Sequence, residues 1–211
     1  MSIMFSNSDP IRRLSNYRRV LCKLRALGFE KFVSDNLGGA LDISPAQVRK
    51  DFADYGLTGN KKGGYIVKDL IEKLNKILGK DDLQKIIVVG CGGMGKTLMN
   101  YNGFAGEGMK VVAGFDANPS VIDPNAIIPI YDINDMPDFI RREKIELAIM
   151  TVPESAASKV AEILKASRIK GILNFAPIML KSTDDCIIRN INIIHEMENI
   201  IYFARRITIT E

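Results

Sequence analysis

This chain of 211 residues has little of several residue types on which catalysis and covalent crosslinking depend. It contains no tryptophan, one histidine and three cysteines. Cys22, Cys91 and Cys186 lie far apart along the chain, which argues against a disulfide framework and against a clustered metal site. We therefore expect no bound metal and a reducing compartment such as the cytoplasm.

Long hydrophobic runs are also absent. No apolar run approaches the roughly 20 residues that a membrane-spanning helix needs. The first residues, MSIMFSNSDPIRR, lack the apolar stretch and the small-residue cleavage site of a secretory signal. We expect neither secretion nor a membrane partner.

What is present is an ordinary globular composition with an uneven distribution of charge. Hydrophobic residues make up 46% of the chain and charged residues 26%, which provides for a core and excludes disorder over most of the chain. Residues 1–79 hold 14 Lys and Arg against 8 Asp and Glu, whereas residues 80–211 hold 15 against 17. A basic N-terminal part is typical of a protein that meets a polyanion, and chance scatter of surface charge explains the asymmetry equally well.

Three short helices are predicted in the N-terminal part. Ser15 is the predicted cap of the first helix and Gly28 its end. The second helix fits residues 34–41, and the third has Ser44 as its cap and Pro45 at its first position. Gln47, three residues after Ser44, completes a capping box. This succession is the helix-turn-helix pattern of DNA-binding domains.

The residues after this cap suggest a DNA-binding surface. Gln47, Arg49 and Lys50 lie off the apolar face of the third helix, toward solvent or DNA. The glycine-rich stretch that follows carries Lys61 and Lys62, as in the wing of a winged helix, where lysines reach phosphates or a narrow minor groove. The alternative is a small helical oligomerisation or protein-binding domain with a solvated basic face.

A glycine loop follows the first buried strand of the C-terminal part, residues 85–89. Gly90, Gly92 and Gly95 match the pattern G-x-G-x-x-G, in which Cys91, Gly93 and Met94 fill the variable positions. The first glycine allows a tight turn, the second lets a pyrophosphate approach the backbone, and the third lets the helix pack close to the strand. The pattern predicts a dinucleotide site.

The same residues also match a phosphate loop. GCGGMGKT fits G-x-x-x-x-G-K-[ST], in which Lys96 would contact the β- and γ-phosphates and Thr97 would hold magnesium. Asp116, at the end of the next strand and 21 residues after Gly95, favours a dinucleotide because an acid there binds the adenosine ribose. No Arg or Lys follows it immediately, which favours NADH and NAD⁺ over the phosphorylated cofactors. An ATPase could instead use Asp116 for magnesium.

Strands and helices alternate over the rest of the chain, which predicts an α/β fold with a doubly wound parallel sheet. Ligands of such sheets lie beyond the carboxyl ends of the strands. Thr151, Val152 and Pro153 lie at the end of one predicted strand, residues 146–152, and Asn174 lies at the end of another, residues 171–175, so we expect them to line the cofactor.

No catalytic constellation accompanies this site. His195 lies near the start of the last predicted helix, where a cap or surface role is more common than catalysis. Cys91 could be a redox thiol whose pKa the helix N-terminus lowers, although a permissive position in the loop explains it as well. A cofactor site without visible chemistry, joined to a DNA-binding part, suggests a sensor. A small NAD-dependent reductase is the enzyme alternative, and a nucleotide-triphosphate switch is the other.

The chain resembles the Rex family of bacterial redox-sensing repressors over nearly its whole length. The resemblance rests on six stretches, SPAQVRKDFADYG, KKGGY, YNGF, GFDANP, TVPE and KGILNFAP. It implies a homodimer with a winged helix in 1–79, a Rossmann domain in 80–190 and a strand with an exchanged helix in 191–211, the helix being 196–205. It also implies a palindromic operator that is bound when NADH is low and released by NADH, with NAD⁺ favouring the DNA-bound form.

The resemblance also assigns residues. It implies Ser44, Gln47, Arg49 and Lys50 at the major groove, Lys61 and Lys62 at the backbone or minor groove, and Arg12 and Arg13 in an N-terminal segment of the DNA-binding part. It implies the pyrophosphate at Gly90 to Lys96, the ribose at Asp116, and Tyr101 close to the subunit interface beside the cofactor. Many members carry an acid where this chain has Asn192. We therefore expect an altered response to NADH.

Overall fold

The computed structural model describes residues 9–59 and 64–207. The chain divides into two compact units, with the boundary between Asp82 and Leu83. We name them the N-terminal unit and the C-terminal unit. None of the helices in the described ranges has both the length and the apolar composition needed to cross a membrane.

Within residues 9–59 and 64–82, the N-terminal unit contains four helices and a two-stranded antiparallel sheet. In chain order the elements are α1 (Pro10–Ala26), β1 (Lys31–Phe32), α2 (Ser34–Leu41), α3 (Pro45–Asp54), β2 (Tyr65–Ile66) and α4 (Val67–Ile77). The bounds predicted for α2 and the start predicted for α3 are confirmed. The Ser44 hydroxyl accepts from the backbone N–H of Gln47 at 3.2 Å, as an N-cap does.

The predicted start of α1 is wrong. The helix begins five residues before Ser15, with Asp9 as its cap and Pro10 at its first position. The Asp9 carboxylate accepts from the backbone N–H of Ile11 at 2.9 Å, which satisfies one of the free donors of the first turn. The same Pro-after-cap signature that marks α3 therefore also marks α1.

The core of the N-terminal unit is formed by buried side chains from all four helices and from β1. It includes Leu14, Tyr17, Leu21, Phe32, Leu37, Val48, Phe52, Val67, Leu70, Ile71 and Leu74. β2 pairs with β1 through Phe32 and Tyr65, whose rings stack with centroids 5.3 Å apart. This pairing fixes the base of the predicted wing, whose two lysines lie outside the described residues.

The C-terminal unit contains one sheet of six parallel strands. Its strands are β3 (Gln84–Val89), β4 (Met109–Asp116), β5 (Ile130–Asp132), β6 (Leu147–Met150), β7 (Gly171–Asn174) and β8 (Ile187–Asn190). The order in the sheet is β5-β4-β3-β6-β7-β8. With β3 counted as strand 1, this order is 3-2-1-4-5-6, the strand order of dinucleotide-binding folds. All strands are parallel, and successive strands are added on one side of β3 up to β5 and on the other side from β6 onward.

Helices α5 (Gly93–Met99), α6 (Met136–Glu143) and α7 (Glu154–Ala166) cover the two faces of this sheet. A last helix, α8 (Ile193–Ile207), follows β8 and is largely exposed. Alternate residues of β3 point to opposite faces, so Ile87 and Val89 pack with α6 and α7, whereas Ile86 and Val88 pack with Met99 of α5. The doubly wound fold is confirmed. The last strand ends at Asn190, so the strand expected within 191–211 lies before that range.

Candidate functional site

The glycine loop follows β3 at the point where the strand order reverses. Gly90 has a φ of +92°, and a Cβ there would lie 2.9 Å from the backbone of Thr151 and Val152. A Cβ on Gly95 would lie 1.9 Å from the carbonyl oxygen of Gly90. Both positions therefore need glycine for close backbone packing, as the first and third glycines of the dinucleotide pattern do.

The middle of the loop faces open space instead. A Cβ on Gly92 or Gly93 would have no atom of the chain within 4 Å, and both residues are exposed together with Met94 and Lys96. Because these two glycines carry no side chain, a ligand can approach the backbone of the loop here. A pyrophosphate fits such a cradle, because the second glycine of the pattern lets phosphate oxygens approach the backbone.

Asp116 braces this loop from the end of the neighbouring strand β4. One oxygen of its carboxylate accepts from the backbone N–H of Cys91 at 2.6 Å, and the other accepts from the backbone N–H of Asn118 at 2.8 Å. The side chain is half-buried, and each carboxylate oxygen keeps a further lone pair. Asp116 therefore lies beside the glycine loop, where a ribose hydroxyl can reach it.

The thiol of Cys91 points into the core rather than toward the loop. The residue is fully buried, and its Sγ lies 3.6 Å from the carbonyl oxygen of Phe115. Burial, and next the negative charge of Asp116, raise the pKa of the thiol to about 11. A reactive thiolate needs a lowered pKa and exposure, so the redox role considered for Cys91 is wrong.

The residues of the phosphate-loop alternative do not form its metal site. The Thr97 hydroxyl donates to the backbone carbonyl of Gly93 at 2.9 Å, one turn earlier in α5. It is therefore engaged within the helix instead of facing a magnesium ion. No group of three or more His, Cys, Asp or Glu in the described ranges is arranged to hold a metal ion.

Thr151, Val152 and Pro153 follow β6, directly beside the first glycine. The Thr151 hydroxyl donates to the carbonyl oxygen of Gly90 at 2.6 Å, which ties the ends of β3 and β6 together. Val152 is buried beneath the loop and Pro153 is exposed at the start of α7. The structure thus brings these residues to the glycine loop, with Thr151 shaping it.

Asn174 lies at the end of β7, as predicted, but its side chain is engaged inside the chain. It is fully buried, and its amide donates to the carbonyl oxygen of Ile178 at 2.9 Å and to Oδ1 of Asn190 at 2.8 Å. Its own Oδ1 accepts from the backbone N–H of Ala176 at 2.9 Å. Because the whole amide is engaged inside the chain, a direct contact of Asn174 with the cofactor does not fit the structure.

Tyr101 lies beyond the C-terminus of α5 and is 59% exposed. Its ring packs edge to face on Phe104 with centroids 5.3 Å apart. The two rings border a surface cavity of about 480 Å³ that Met109 and Ile128 also line. The glycine loop is not among the residues that line this cavity, so the structure gives Tyr101 a surface position and leaves its predicted cofactor contact a prediction.

The exposed side of α3 carries the residues predicted to read DNA. Lys50 is exposed, and the Arg49 guanidinium donates to the Ser34 hydroxyl at 3.1 Å while remaining more than half exposed. The capping box forms only in part. The Gln47 side chain donates to Asp51 at 2.7 Å, one turn further along α3, so it does not reach back to the cap.

Arg12 and Arg13 have opposite environments. Arg12 is exposed, whereas Arg13 is 7% exposed and forms an ion pair with the buried carboxylate of Asp51 at 2.6 Å. Burial alone raises the pKa of Asp51, and hydrogen bonds from Arg13, Tyr17 and Gln47 outweigh it, so the pKa lies below its usual value. A direct DNA contact by Arg13 does not fit this geometry.

Sequence reasoning missed Asp51. The signal was an acid at a core-facing position of α3, one residue before the buried Phe52. An ionised side chain is seldom fully buried without a partner, and Arg13 and Tyr17 lie one helical turn apart on α1. That pairing joins residues 38 positions apart, which a local pattern does not show.

The last helix, α8, presents an apolar surface to solvent. Seven large hydrophobic residues on it are between 38% and 67% exposed, namely Ile193, Ile194, Met197, Ile200, Ile201, Tyr202 and Phe203. Asn192 caps the helix, because its Oδ1 accepts from the backbone N–H groups of Ile194 at 3.0 Å and His195 at 3.2 Å. His195 is itself exposed, 4.0 Å from Glu198.

Comparison with known proteins agrees with the division into an N-terminal unit and a C-terminal unit. A family model described as "CoA binding domain" matches residues 81–178, and one described as "Putative DNA-binding protein N-terminus" matches residues 9–53. The redox-sensing transcriptional repressor Rex of Lactobacillus gasseri is 36% identical over 91% of this chain and 90% of its own length. That of Brevibacillus brevis is 37% identical over 92% of this chain and 94% of its own length. This chain belongs to the Rex family.

Solved Rex-family structures have the same fold. A crystal structure of RSP in complex with β-NAD⁺ and operator DNA superposes with a TM-score of 0.89, at 32% identity over 95% of this chain and 93% of that one. RSP in complex with β-NADH superposes with a TM-score of 0.81, at 30% identity over 99% of this chain and 98% of that one. The predicted winged helix and Rossmann sheet are confirmed. Because the Rex relatives are named as repressors, the reductase alternative is set aside.

Proposed function

We propose that this chain is a transcriptional repressor that senses the ratio of NADH to NAD⁺. It binds a palindromic operator when NADH is low, NAD⁺ favours the DNA-bound form, and NADH releases it. The observation that carries the proposal is the full-length similarity to RSP, which has been solved with β-NAD⁺ and operator DNA and with β-NADH. The open glycine loop braced by Asp116 supplies the matching site in this chain.

Each part of the glycine-loop site has a stated role in this proposal. The backbone from Gly90 to Lys96 holds the pyrophosphate, and Thr151 keeps the loop against β6. Asp116 accepts from the adenosine ribose, and Ala117 and Asn118 after it provide no cation for a 2′-phosphate. The two redox forms of the dinucleotide differ at the nicotinamide ring, which is cationic in NAD⁺ and neutral in NADH. The protein responds to this difference without catalysing a reaction.

The DNA contacts are proposed for residues of the N-terminal unit. Arg49 and Lys50 on α3 face the major groove, with Ser44 and Gln47 at the start of the helix. Lys61 and Lys62 contact phosphates or the minor groove, and Arg12 contacts a phosphate. Phosphate contacts of this kind make binding steeply dependent on salt.

A second copy of the chain is the proposed occupant of the apolar surface of α8. An exposed apolar helix is unfavourable in water, and exchange of α8 between two subunits buries it while creating the two-fold symmetry of a palindrome. The proposed domains are 1–79, 80–190 and 191–211. The cytoplasm, where bacterial DNA and the dinucleotide pool meet, is the proposed location.

A gel-shift titration tests the function. A palindromic promoter fragment bound by the protein is titrated separately with NADH, NAD⁺ and ATP. Release by NADH at far lower concentrations than by NAD⁺, and no release by ATP, are the expected results. Lys96→Ala should leave dinucleotide binding largely intact. Complexes that ignore both dinucleotides, or that ATP alone releases, contradict the proposal.

A further inference from the structure

A single buried carboxylate in the N-terminal unit collects hydrogen bonds from two helices. The Arg13 guanidinium donates to both oxygens of Asp51, through Nε at 2.6 Å and Nη2 at 2.7 Å. The Tyr17 hydroxyl donates at 2.8 Å and the Gln47 amide at 2.7 Å. We call these four residues the Asp51 cluster. It joins α1 to α3, the helix that carries the proposed base-reading residues.

Stability alone is a weak reason for such a cluster. Removing two charges from water is costly, and replacing a buried ion pair by apolar residues of similar volume is often neutral or stabilising. Asp51 is 2% exposed and Arg13 is 7% exposed, so both incur this cost. What an ion pair adds is direction, because a bidentate guanidinium and carboxylate fit in one relative orientation.

The fixed orientation of the ion pair affects the side of α3 that faces DNA, because of where Asp51 lies on the helix. At about 100° per residue, Asp51 lies roughly 160° around α3 from Arg49, so the two side chains point to nearly opposite sides of the helix. Val48 and Phe52, on the buried side, make apolar contacts that are not directional. The Asp51 cluster therefore restrains the rotation of α3 about its own axis more tightly than apolar packing does.

A small rotation has a large effect at the DNA. A helix with its side chains has a radius of about 5 to 6 Å, so a rotation of about 15° moves its surface groups by about 1.5 Å. Hydrogen bonds to base edges operate between about 2.7 and 3.2 Å. A shift of that size removes base contacts, whereas long Lys and Arg side chains still reach phosphates.

We infer that Arg13, Tyr17 and Asp51 are positioning residues that set the rotation of α3 and thereby the sequence specificity of DNA binding. The inference deepens the proposed function and rests on it. It predicts that loss of the cluster lowers affinity for the operator and leaves non-specific DNA binding in place. A purely structural role would instead lower both affinities together, through unfolding.

The test compares the full-length wild type with the variant Arg13→Met/Tyr17→Phe/Asp51→Leu, which replaces the three buried polar side chains by apolar ones. The Gln47 amide, which loses its acceptor, is half-buried and can hydrogen-bond to water. The probes are a palindromic duplex that the wild type selects from a randomised library and a scrambled duplex of equal length. The expected result is at least a tenfold lower affinity for the selected duplex. Affinity for the scrambled duplex should change less than threefold, with the same salt dependence, and NADH binding should be unchanged.

Two single variants and one control complete the design. Tyr17→Phe keeps the ring that packs edge to face on Phe52 at 5.5 Å and removes one hydrogen bond, and Arg13→Lys keeps the charge without the fork. Each should lower the affinity ratio of selected to scrambled duplex two- to fivefold. Leu74→Ala truncates the core of the same unit outside the cluster, so it should lower thermal stability and keep the ratio.

The outcomes separate the two proposals. A folded triple variant with the wild-type ratio overturns the inference. If the triple variant does not fold, a wild-type ratio in both Tyr17→Phe and Arg13→Lys overturns it instead. If the wild type selects no duplex from the library, the proposed function is contradicted, and there is no sequence-specific binding for the Asp51 cluster to affect.

Discussion

The side-chain amide of Asn174 donates a hydrogen bond to Oδ1 of Asn190 across 2.8 Å, joining the ends of β7 and β8. Asn190 in turn accepts from the backbone N–H of Leu180 and donates to its carbonyl oxygen. This amide pair therefore holds the loop after β7 against the segment that leads to Asn192 and α8. It connects the ligand edge of the sheet with the helix proposed for dimer exchange.

Asn174→Ala should destabilise the protein without a direct effect on cofactor contacts. The change leaves Asn190 Oδ1, the Ile178 carbonyl and the Ala176 N–H without their partner, and an unsatisfied buried group costs about 1 to 3 kcal/mol. We expect a loss of about 2 to 4 kcal/mol in urea unfolding. Asn125→Ala, at an exposed turn, is the control and should stay within about 0.5 kcal/mol. A wild-type midpoint for Asn174→Ala would show that the amide network contributes nothing.

Two alanine substitutions in the glycine loop should behave differently. Gly95→Ala places a Cβ 1.9 Å from the carbonyl oxygen of Gly90, so it should lower both the melting temperature and NADH affinity. Gly92→Ala places its Cβ in open space, so it should keep the melting temperature and lower NADH affinity at least tenfold. Thermal melts and NADH fluorescence titrations measure the two quantities. Undiminished NADH binding by Gly92→Ala would contradict the assignment of the pyrophosphate to this loop.

Cys91 should make the protein less stable at high pH. Its folded pKa of about 11 lies above the ordinary value of 9.0, so its contribution is complete below pH 9 and is lost as the pH rises toward 11. Between pH 8 and pH 10 the wild type should lose about 1 kcal/mol more than Cys91→Ala in urea unfolding. Tyr17, whose pKa burial also raises, is present in both proteins, so the difference isolates the thiol. Equal losses in the two proteins would refute the assignment.

Asn192→Asp should change the NADH concentration that releases operator DNA by at least twofold. Asp and Asn are equally good helix caps, so the contacts to Ile194 and His195 are kept and only the charge is added. Asn192→Ala provides the contrast, because it should lose about 1 kcal/mol of capping energy. Gel-shift curves and circular dichroism measure the two effects. Superimposable NADH curves for Asn192→Asp and the wild type would end the hypothesis.

The features that sequence predicted well depend on neighbouring residues. The start of α3 follows from a cap and a proline at adjacent positions, and the turn of the glycine loop follows from glycines within six positions. The start of α1 has the same local signature at Asp9 and Pro10, but the prediction placed the cap at Ser15 instead. The last strand was less well predicted, since it was expected within 191–211 and ends at Asn190, because pairing with a neighbouring strand decides where a strand ends.

The features that sequence predicted poorly depend on distant partners. Arg13 was assigned to DNA from the family resemblance, and Asn174 was assigned to the cofactor from its position at the end of a strand. Their actual partners, Asp51 and Asn190, lie 38 and 16 residues away. Folding brings these groups together and buries them, which gives them internal roles that no local spacing records.

The proposed pairing of two chains through the apolar surface of α8 implies that the number of working repressors is a non-linear function of how much protein a cell holds. Below the dissociation constant of a two-fold assembly, the amount of dimer rises with the square of the chain concentration. Halving expression would then remove three quarters of the operator-binding species. In the proposed function, the occupancy of each operator therefore depends on the dinucleotide concentration and, more steeply, on the concentration of the protein, because two chains must associate before they bind.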